Sequence, residues 1–218
     1  MINGIRRELY ERIDYIAEQV LHLAGENPIA FLDAGAVIDF EREVIDHWKL
    51  TDSKIGPANF YQLLICKGGF PLYVTSPVMQ EINYHNKNHK LNGKPEISDE
   101  TIEFVSRMNK EYENFLENVC SAALCRDEVG YNTYWAGLMA FEPNHKKCYL
   151  DKISRTDKEQ IASAIWARYC GVLDNRGKEE KISSSTIISP DCHISGAVKV
   201  LTGPEFGYNN IKVVSSRK

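Results

Sequence analysis

The apolar run Ile29-Ala30-Phe31-Leu32, preceded by Pro28 and closed by Asp33, is the stretch around which the chain is organised. Its length and unbroken hydrophobicity predict a strand buried on both faces, as in a parallel sheet. Gly35 is expected to turn the backbone, and a helix is predicted over 36–49. Two longer patterns alternate apolar residues at spacings of three and four. One runs through Leu9, Ile13, Ile16, Val20 and Leu23, in a helix over 3–24 stopped by Gly25. The other runs through Val105, Met108, Tyr112, Phe115, Val119 and Ala122, in a helix from Ser98 to about Leu124. Two seams of one kind are expected to pack together, within the chain, across a homodimer or against a protein partner.

Between the seams, Pro57 opens a helix that ends at Gly68-Gly69, and Pro71-Leu72-Tyr73-Val74-Thr75 reads as a second strand. Ser76 suits an N-cap and Pro77 the first helical position. The following helix places Val78, Ile82 and His85 on one face, with Glu81 beside them. Residues 86–97 read as a polar, basic loop. After it, Thr156 and Glu159 stand at capping-box spacing before an inner stripe of Ile161, Ala164, Ile165 and Arg168. A charged connector over 176–181 leads to a strand, Ser185-Thr186-Ile187-Ile188, ended by Ser189-Pro190-Asp191. A helix with Ile194, Ala197, Val198 and Leu201 inward follows, and then a last strand, Ile211-Lys212-Val213-Val214. Strands alternating with helices predict an α/β protein, with a parallel sheet of about four or five strands flanked by helices. Residues 1–27 form a helical annex, residues 28–218 the main domain, and roughly 87–153 a helical insert.

Composition narrows the class. The chain has 218 residues, 43% hydrophobic and 26% charged, as in an ordinary globular protein. No apolar run reaches membrane-spanning length, and the charged start does not resemble a signal peptide, so a cytoplasmic protein without a membrane partner is expected. The six cysteines include no C-x-x-C pair, which argues against a zinc site or a disulfide framework. The net charge of −4 is unevenly spread: 13 basic and 9 acidic residues in 139–218 leave that third at +4. A basic face beside an acidic remainder permits a polyanionic substrate. Tyr131, Tyr134, Trp135 and Phe141 beside Lys146-Lys147 have the make-up of a strand-stacking surface, although aromatic core is the commoner origin of such a cluster.

Four carboxylates carry the chemistry. Asp33 and Asp191 end strands, while Glu81 and Asp157 begin the core-facing edges of helices. In open α/β sheets, working residues collect beyond the carboxyl ends of the strands. Four acids gathered there repel one another unless a cation neutralises them, and hard oxygen donors suit Mg²⁺ or Mn²⁺. Taken alone, Asp157 is better explained by compensation of its helix dipole.

The order of these pieces resembles the PIN domain, a family of metal-dependent ribonucleases. The matching stretches are Phe31-Leu32-Asp33, then Thr75-Ser76-Pro77-Val78-Met79-Gln80-Glu81, then Asp157 with Ile161-Ala162-Ser163-Ala164, and last Ile187-Ile188-Ser189-Pro190-Asp191. The resemblance covers about residues 28–86 and 154–214. It implies a Mg²⁺- or Mn²⁺-dependent nuclease acting on a nucleic acid, with single-stranded RNA the expected substrate. Asp33, Glu81, Asp157 and Asp191 would be both catalytic residues and metal ligands. Lys87, Lys90, Lys146 and Lys147 are candidates to hold flanking phosphates. The family usually places Thr or Ser, then Asn or Ser, after the first acid; here Ala34 and Gly35 stand there.

Other α/β classes lack their signatures. Gly68-Gly69 is not followed by the Lys-Ser/Thr of a phosphate-binding loop, and Asp33-Ala34-Gly35-Ala36 is not a dinucleotide fingerprint. A haloacid-dehalogenase-type phosphatase needs a second Asp at position 35, and a receiver domain needs an acid pair after its first strand. The alternative to an enzyme is a PIN-like module that binds RNA or protein without cutting, built on a degraded site. It accounts for Ala34-Gly35, while the retention of all four acids speaks for catalysis.

Overall fold

The computed structural model describes residues 2–22, 28–51, 64–70, 72–92, 97, 101–103, 106, 153–170, 172–173, 179–180, 182–203 and 211–217. In chain order these form α1 (Ile2–Leu21), β1 (Pro28–Leu32), α2 (Ala34–Thr51), β2 (Leu72–Tyr73), α3 (Ser76–Asn92) and α4 (Arg155–Cys170). Then come β3 (Val172–Leu173), β4 (Glu179–Glu180), β5 (Ser184–Ile188), α5 (Cys192–Leu201) and β6 (Ile211–Val214). The seam from Val105 to Ala122, the aromatic cluster over 131–141, and Lys146 and Lys147 lie outside the described residues.

β1 pairs in parallel with β2 on one side and with β5 on the other, and β5 pairs in parallel with β6. The order is β2-β1-β5-β6, so the fold is α/β with a four-stranded, all-parallel sheet flanked by helices. β1 owes its central place to composition: all five of its residues are buried, as the unbroken apolar run requires. Alternation along the strands sorts the core into two layers. Ala30, Leu32, Leu72, Ile188 and Val214 pack with α1, α2 and α3, whereas Ile29, Phe31, Tyr73, Ile187 and Ile211 pack with α4 and α5. Each fully buried Leu, Ile or Phe in these layers contributes about 1.5–3 kcal/mol relative to exposure.

The layering has a functional consequence. From β1 the chain leaves through α2 on one face to reach β2; from β5 it leaves through α5 on the other face to reach β6. The strand order therefore reverses between β1 and β5, which opens a crevice between their carboxyl ends. Asp33 and Asp191 flank that crevice.

The α1 seam packs on the sheet. Ile13, Ile16 and Val20 are fully buried in the layer that contains Leu32, Val37 and Phe40, and α1 contacts β1, α2 and β6. Lys212 of β6 donates to Gln19 Oε1 at 3.3 Å from the same side. The Leu9 side chain and Leu23 lie outside the described residues.

Several boundaries differ from the sequence expectation. Helix α2 already includes Ala34 and Gly35, because Val37 N donates to the Asp33 carbonyl (3.1 Å) and makes Asp33 the cap. The cap of α3 is Thr75 and not Ser76, since Met79 N donates to the Thr75 carbonyl at 2.9 Å. α3 continues to Asn92, so most of the expected basic loop over 86–97 is helix: Asn, His and Lys are tolerable helix residues when no Pro or Gly interrupts before Gly93. The second strand is confined to Leu72–Tyr73, the fifth begins at Ser184, and the charged connector over 176–181 contains β4, paired antiparallel with β3. The helical turn over 64–68 does stop at Gly69, whose φ of +62° is a left-handed value suited to glycine.

Candidate active site at the carboxyl edge

Asp33 is the last residue before α2 and is 7% exposed. Continuing the alternation of Ile29 and Phe31 turns it to the face covered by α4 and α5. Its carboxylate takes a hydrogen bond from the Ala34 N–H and one from Ser189 Oγ, which lies 2.7 Å from Oδ2. Both favour the charged form, as does the start of α2. Burial outweighs them, and the charges of Asp157 and Glu81 push the same way, so the pKa is driven up from 3.8 to about 6. The structure thus brings Asp33, Glu81 and Asp157 into one electrostatic unit.

The other acids are placed by their helices. Asp157 forms the capping box of α4 with Ser154: Ser154 N donates to Asp157 Oδ2 (2.7 Å), and Asp157 N donates to Ser154 Oγ (3.1 Å). This replaces the Thr156–Glu159 box expected from spacing; Glu159 instead meets Arg155 Nε at 2.8 Å. Glu81 is half-buried on α3, with His85 Nε2 3.6 Å from its Oε1. Asp191 is the N-cap of α5. Its Oδ1 accepts from His193 N at 2.7 Å and lies 3.1 Å from His193 Nδ1. It reaches Asp33 through Ser189, whose Oγ also accepts from Asp191 N at 3.0 Å.

Further residues bear on this edge, and sequence reasoning gave Ser189, Thr75 and Gln160 no chemical role. Ser189 supplies from β5 the polar contact that Ala34 and Gly35 cannot supply from α2. Strand alternation was the available signal, since Ser189 follows Ile187 by two. Gly35 is bare because a Cβ there would meet Pro190 Cγ at 2.8 Å and Asp33 Oδ2 at 3.2 Å. Thr75 is buried, and its Oγ1 has no hydrogen-bond partner. On α4, Gln160 is also fully buried, with Oε1 and Nε2 both unpartnered, three residues beyond Asp157.

Asp33, Glu81 and Asp157 offer carboxylate oxygens, the donor type a hard divalent cation takes, but these three do not form a group whose ligand atoms all lie within 4.8 Å of one another. Asp191, Cys192 and His193 bring potential ligand atoms within 4.8 Å of one another, but thiol and imidazole make a softer set that does not identify Mg²⁺ or Mn²⁺. Lys87 is exposed on α3, and Lys90 lies on the same helix with its side chain outside the described residues.

Fold and edge together define an open α/β protein with acids collected at its topological switch point. The chain matches no family model, no curated protein and no solved structure. Among the described residues, no helix is long and apolar enough to cross a membrane.

Proposed function

We propose that the protein is a PIN-like, Mg²⁺- or Mn²⁺-dependent nuclease that hydrolyses phosphodiester bonds in single-stranded RNA. The observation that carries this reading is the electrostatic frustration of Asp33: a carboxyl pushed to about 6 by burial together with the charges of Asp157 and Glu81. A cation at this edge relieves that frustration, which gives the acids a use that offsets their cost. Asp33, Glu81 and Asp157 would hold it, with Asp191 at the neighbouring strand end. When bound, such an ion supplies a water of lowered pKa and neutralises charge on the phosphate and the leaving oxygen.

The chain's own groups do the rest. Ser189 fixes the Asp33 carboxylate through Oδ2. Helices α2, α3 and α5 all begin at this edge, directly after β1, β2 and β5, so their positive ends face an incoming phosphate. Lys87 and Lys90 stand about three and four turns along α3 from its start at this edge; like Lys146 and Lys147, they are assigned to the flanking phosphates by sequence alone. The cytoplasm suits this substrate.

A second reading, a PIN-like module that binds RNA or protein without cutting, draws on Asp191, which is engaged by its own helix and by His193. The two readings separate on cleavage of single-stranded RNA in Mn²⁺ and in EDTA. Cleavage that needs Mn²⁺ and is lost in Asp33→Asn supports the nuclease. Mn²⁺ binding by a wild-type chain inert on both RNA and DNA supports the binding module.

A further inference from the structure

Asp191, Cys192 and His193 stand together where β5 gives way to α5. Among the described residues they are the one group of three Asp, Glu, Cys or His side chains whose ligand atoms all lie within 4.8 Å of one another. The backbone explains how three consecutive residues converge. Asp191 is the N-cap, extended at φ −81° and ψ 118°, so its side chain folds back over the first turn of the helix. There its Oδ1 accepts from His193 N at 2.7 Å, and the imidazole turns to the same oxygen, with Nδ1 at 3.1 Å. Cys192 lies between them in the chain, an exposed free thiol.

Capping accounts for Asp191 but not for its neighbours, since a helix start needs neither a thiol nor an imidazole. What the three share is donor chemistry: one carboxylate oxygen, one sulfur and one imidazole nitrogen. That mixed set suits a borderline ion such as Zn²⁺ better than a hard one. The spacing suits it as well. Around a tetrahedral zinc, oxygen, nitrogen and sulfur ligands sit about 3.3–3.6 Å apart, and the oxygen–nitrogen pair is already at 3.1 Å. Asp191 and the thiolate formed when metal displaces the Cys192 proton balance the two charges of the ion, which the positive helix end would otherwise repel.

We propose that Asp191, Cys192 and His193 form a Zn²⁺ site with three protein ligands, its fourth position left to solvent at the half-exposed start of α5. The inference does not rest on the Mg²⁺- or Mn²⁺-dependent reading above. The Asp191 carboxylate engages α5, and its link to Asp33 runs through its backbone N–H and Ser189. No paired-cysteine spacing announces such a site, because its ligands are consecutive and meet only through the cap.

The test is metal binding by the reduced, EDTA-stripped full chain, with Co²⁺ as the spectroscopic stand-in for Zn²⁺. Co²⁺ should give a thiolate-to-metal charge-transfer band and the strong visible bands of a four-coordinate site, and Zn²⁺ should displace it. Cys192→Ser should abolish the charge-transfer band. His193→Ala and Asp191→Asn should each weaken Zn²⁺ binding about 100-fold, and asparagine keeps the cap. Cys66→Ser, which removes the other exposed free thiol among the described residues, should leave the band unchanged. The inference is overturned by a wild-type chain that gives no band, by a band that survives Cys192→Ser or is lost in Cys66→Ser, or by wild-type Zn²⁺ affinity in His193→Ala or Asp191→Asn. If a variant does not fold, alkylation of the wild-type chain by iodoacetamide, read by peptide mass mapping, decides the matter. Zn²⁺ should protect Cys192 and not Cys66, and equal alkylation of Cys192 with and without Zn²⁺ overturns the inference. No arm reads RNA cleavage or Mn²⁺ binding, so failure here leaves the nuclease reading standing.

Discussion

Ser189 Oγ donates to Asp33 Oδ2 at 2.7 Å across the β1–β5 pair, tying the two strand ends that border the crevice. This bond lowers the pKa of Asp33 but does not overcome burial, which leaves it at about 6 against 3.8 when unperturbed. A carboxyl with a raised folded pKa binds its proton more tightly in the native state, so stability falls as pH rises between those values. In EDTA the protein should therefore lose about 2.4 kcal/mol of stability between pH 4 and pH 7 from Asp33 alone. Asp33→Asn should flatten that part of the profile. Ser189→Ala should steepen it, costing about 1–2 kcal/mol above pH 7 and less near pH 5, where Asp33 is protonated. Urea melts of the three proteins across this range check the sign: a wild-type chain that gains stability from pH 4 to pH 7 would refute the account of Asp33.

The sheet was largely legible because β1, β5 and β6 carry strong local signals. The apolar run before Asp33 and the pair Ile187-Ile188 specify buried strands, and the β-branched residues of Ile211–Val214 mark a strand buried at its two ends. The stripe Ile194, Ala197, Val198 and Leu201 was legible for the same reason. What a single sequence does not carry is which strand lies beside which. Ser189 and Asp33 are 156 residues apart, so their contact is written in the register and not in any local pattern. Caps were misplaced by one to a few residues because Ser, Thr, Asp and Glu crowd each helix start, and spacing alone does not choose among them. The β3–β4 pair was missed because two-residue strands of Val-Leu and Glu-Glu show no measurable alternation.

Gly35 and Pro190 define a close approach that explains the absence of a polar side chain after Asp33. Alanine at 35 should gain helix propensity worth about 1 kcal/mol. Its Cβ would meet the Pro190 ring at 2.8 Å, and a ring on a strand-end segment has no rotamer to escape into. The net expectation is a loss of about 1–3 kcal/mol. Pro190→Ala should relieve it: the double variant should recover most of the stability lost by Gly35→Ala in thermal melts. Equal melting of Gly35→Ala and wild type would show that the contact is soft.

The C-terminal strand is tied down by a charge pair just beyond its carboxyl end. Arg217 donates from Nε and Nη2 to Asp39 at 2.8 and 3.0 Å, and Ser216 Oγ donates to the same carboxylate at 3.1 Å. Asp39 is buried while Arg217 is mostly exposed, so removing the arginine leaves the costlier partner behind. Arg217→Ala should destabilise by about 1–3 kcal/mol, and Asp39→Asn with Arg217→Ala by less than the sum of the two. A double-mutant cycle read by urea denaturation measures the coupling, and additivity would show the pair to be independent.

Asp157 has two roles to separate, the cap of α4 and the charge felt by Asp33. Asparagine can keep the cap, since its Oδ1 can accept from Ser154 N where the carboxylate does now. It removes the charge that raises Asp33. Asp157→Asn should therefore hold stability in EDTA within about 0.5 kcal/mol of wild type. It should also lower the pKa of Asp33 and weaken both Mn²⁺ binding and cleavage of single-stranded RNA. Ser154→Ala makes the opposite change: it costs about 1 kcal/mol of helix stability and leaves the charge in place. If Asp157 serves only as a cap, the asparagine variant will bind Mn²⁺ like wild type. If it belongs to the metal site, Asp157→Asn will lose Mn²⁺ affinity while Ser154→Ala keeps it, a crossed pattern that helix destabilisation alone cannot produce.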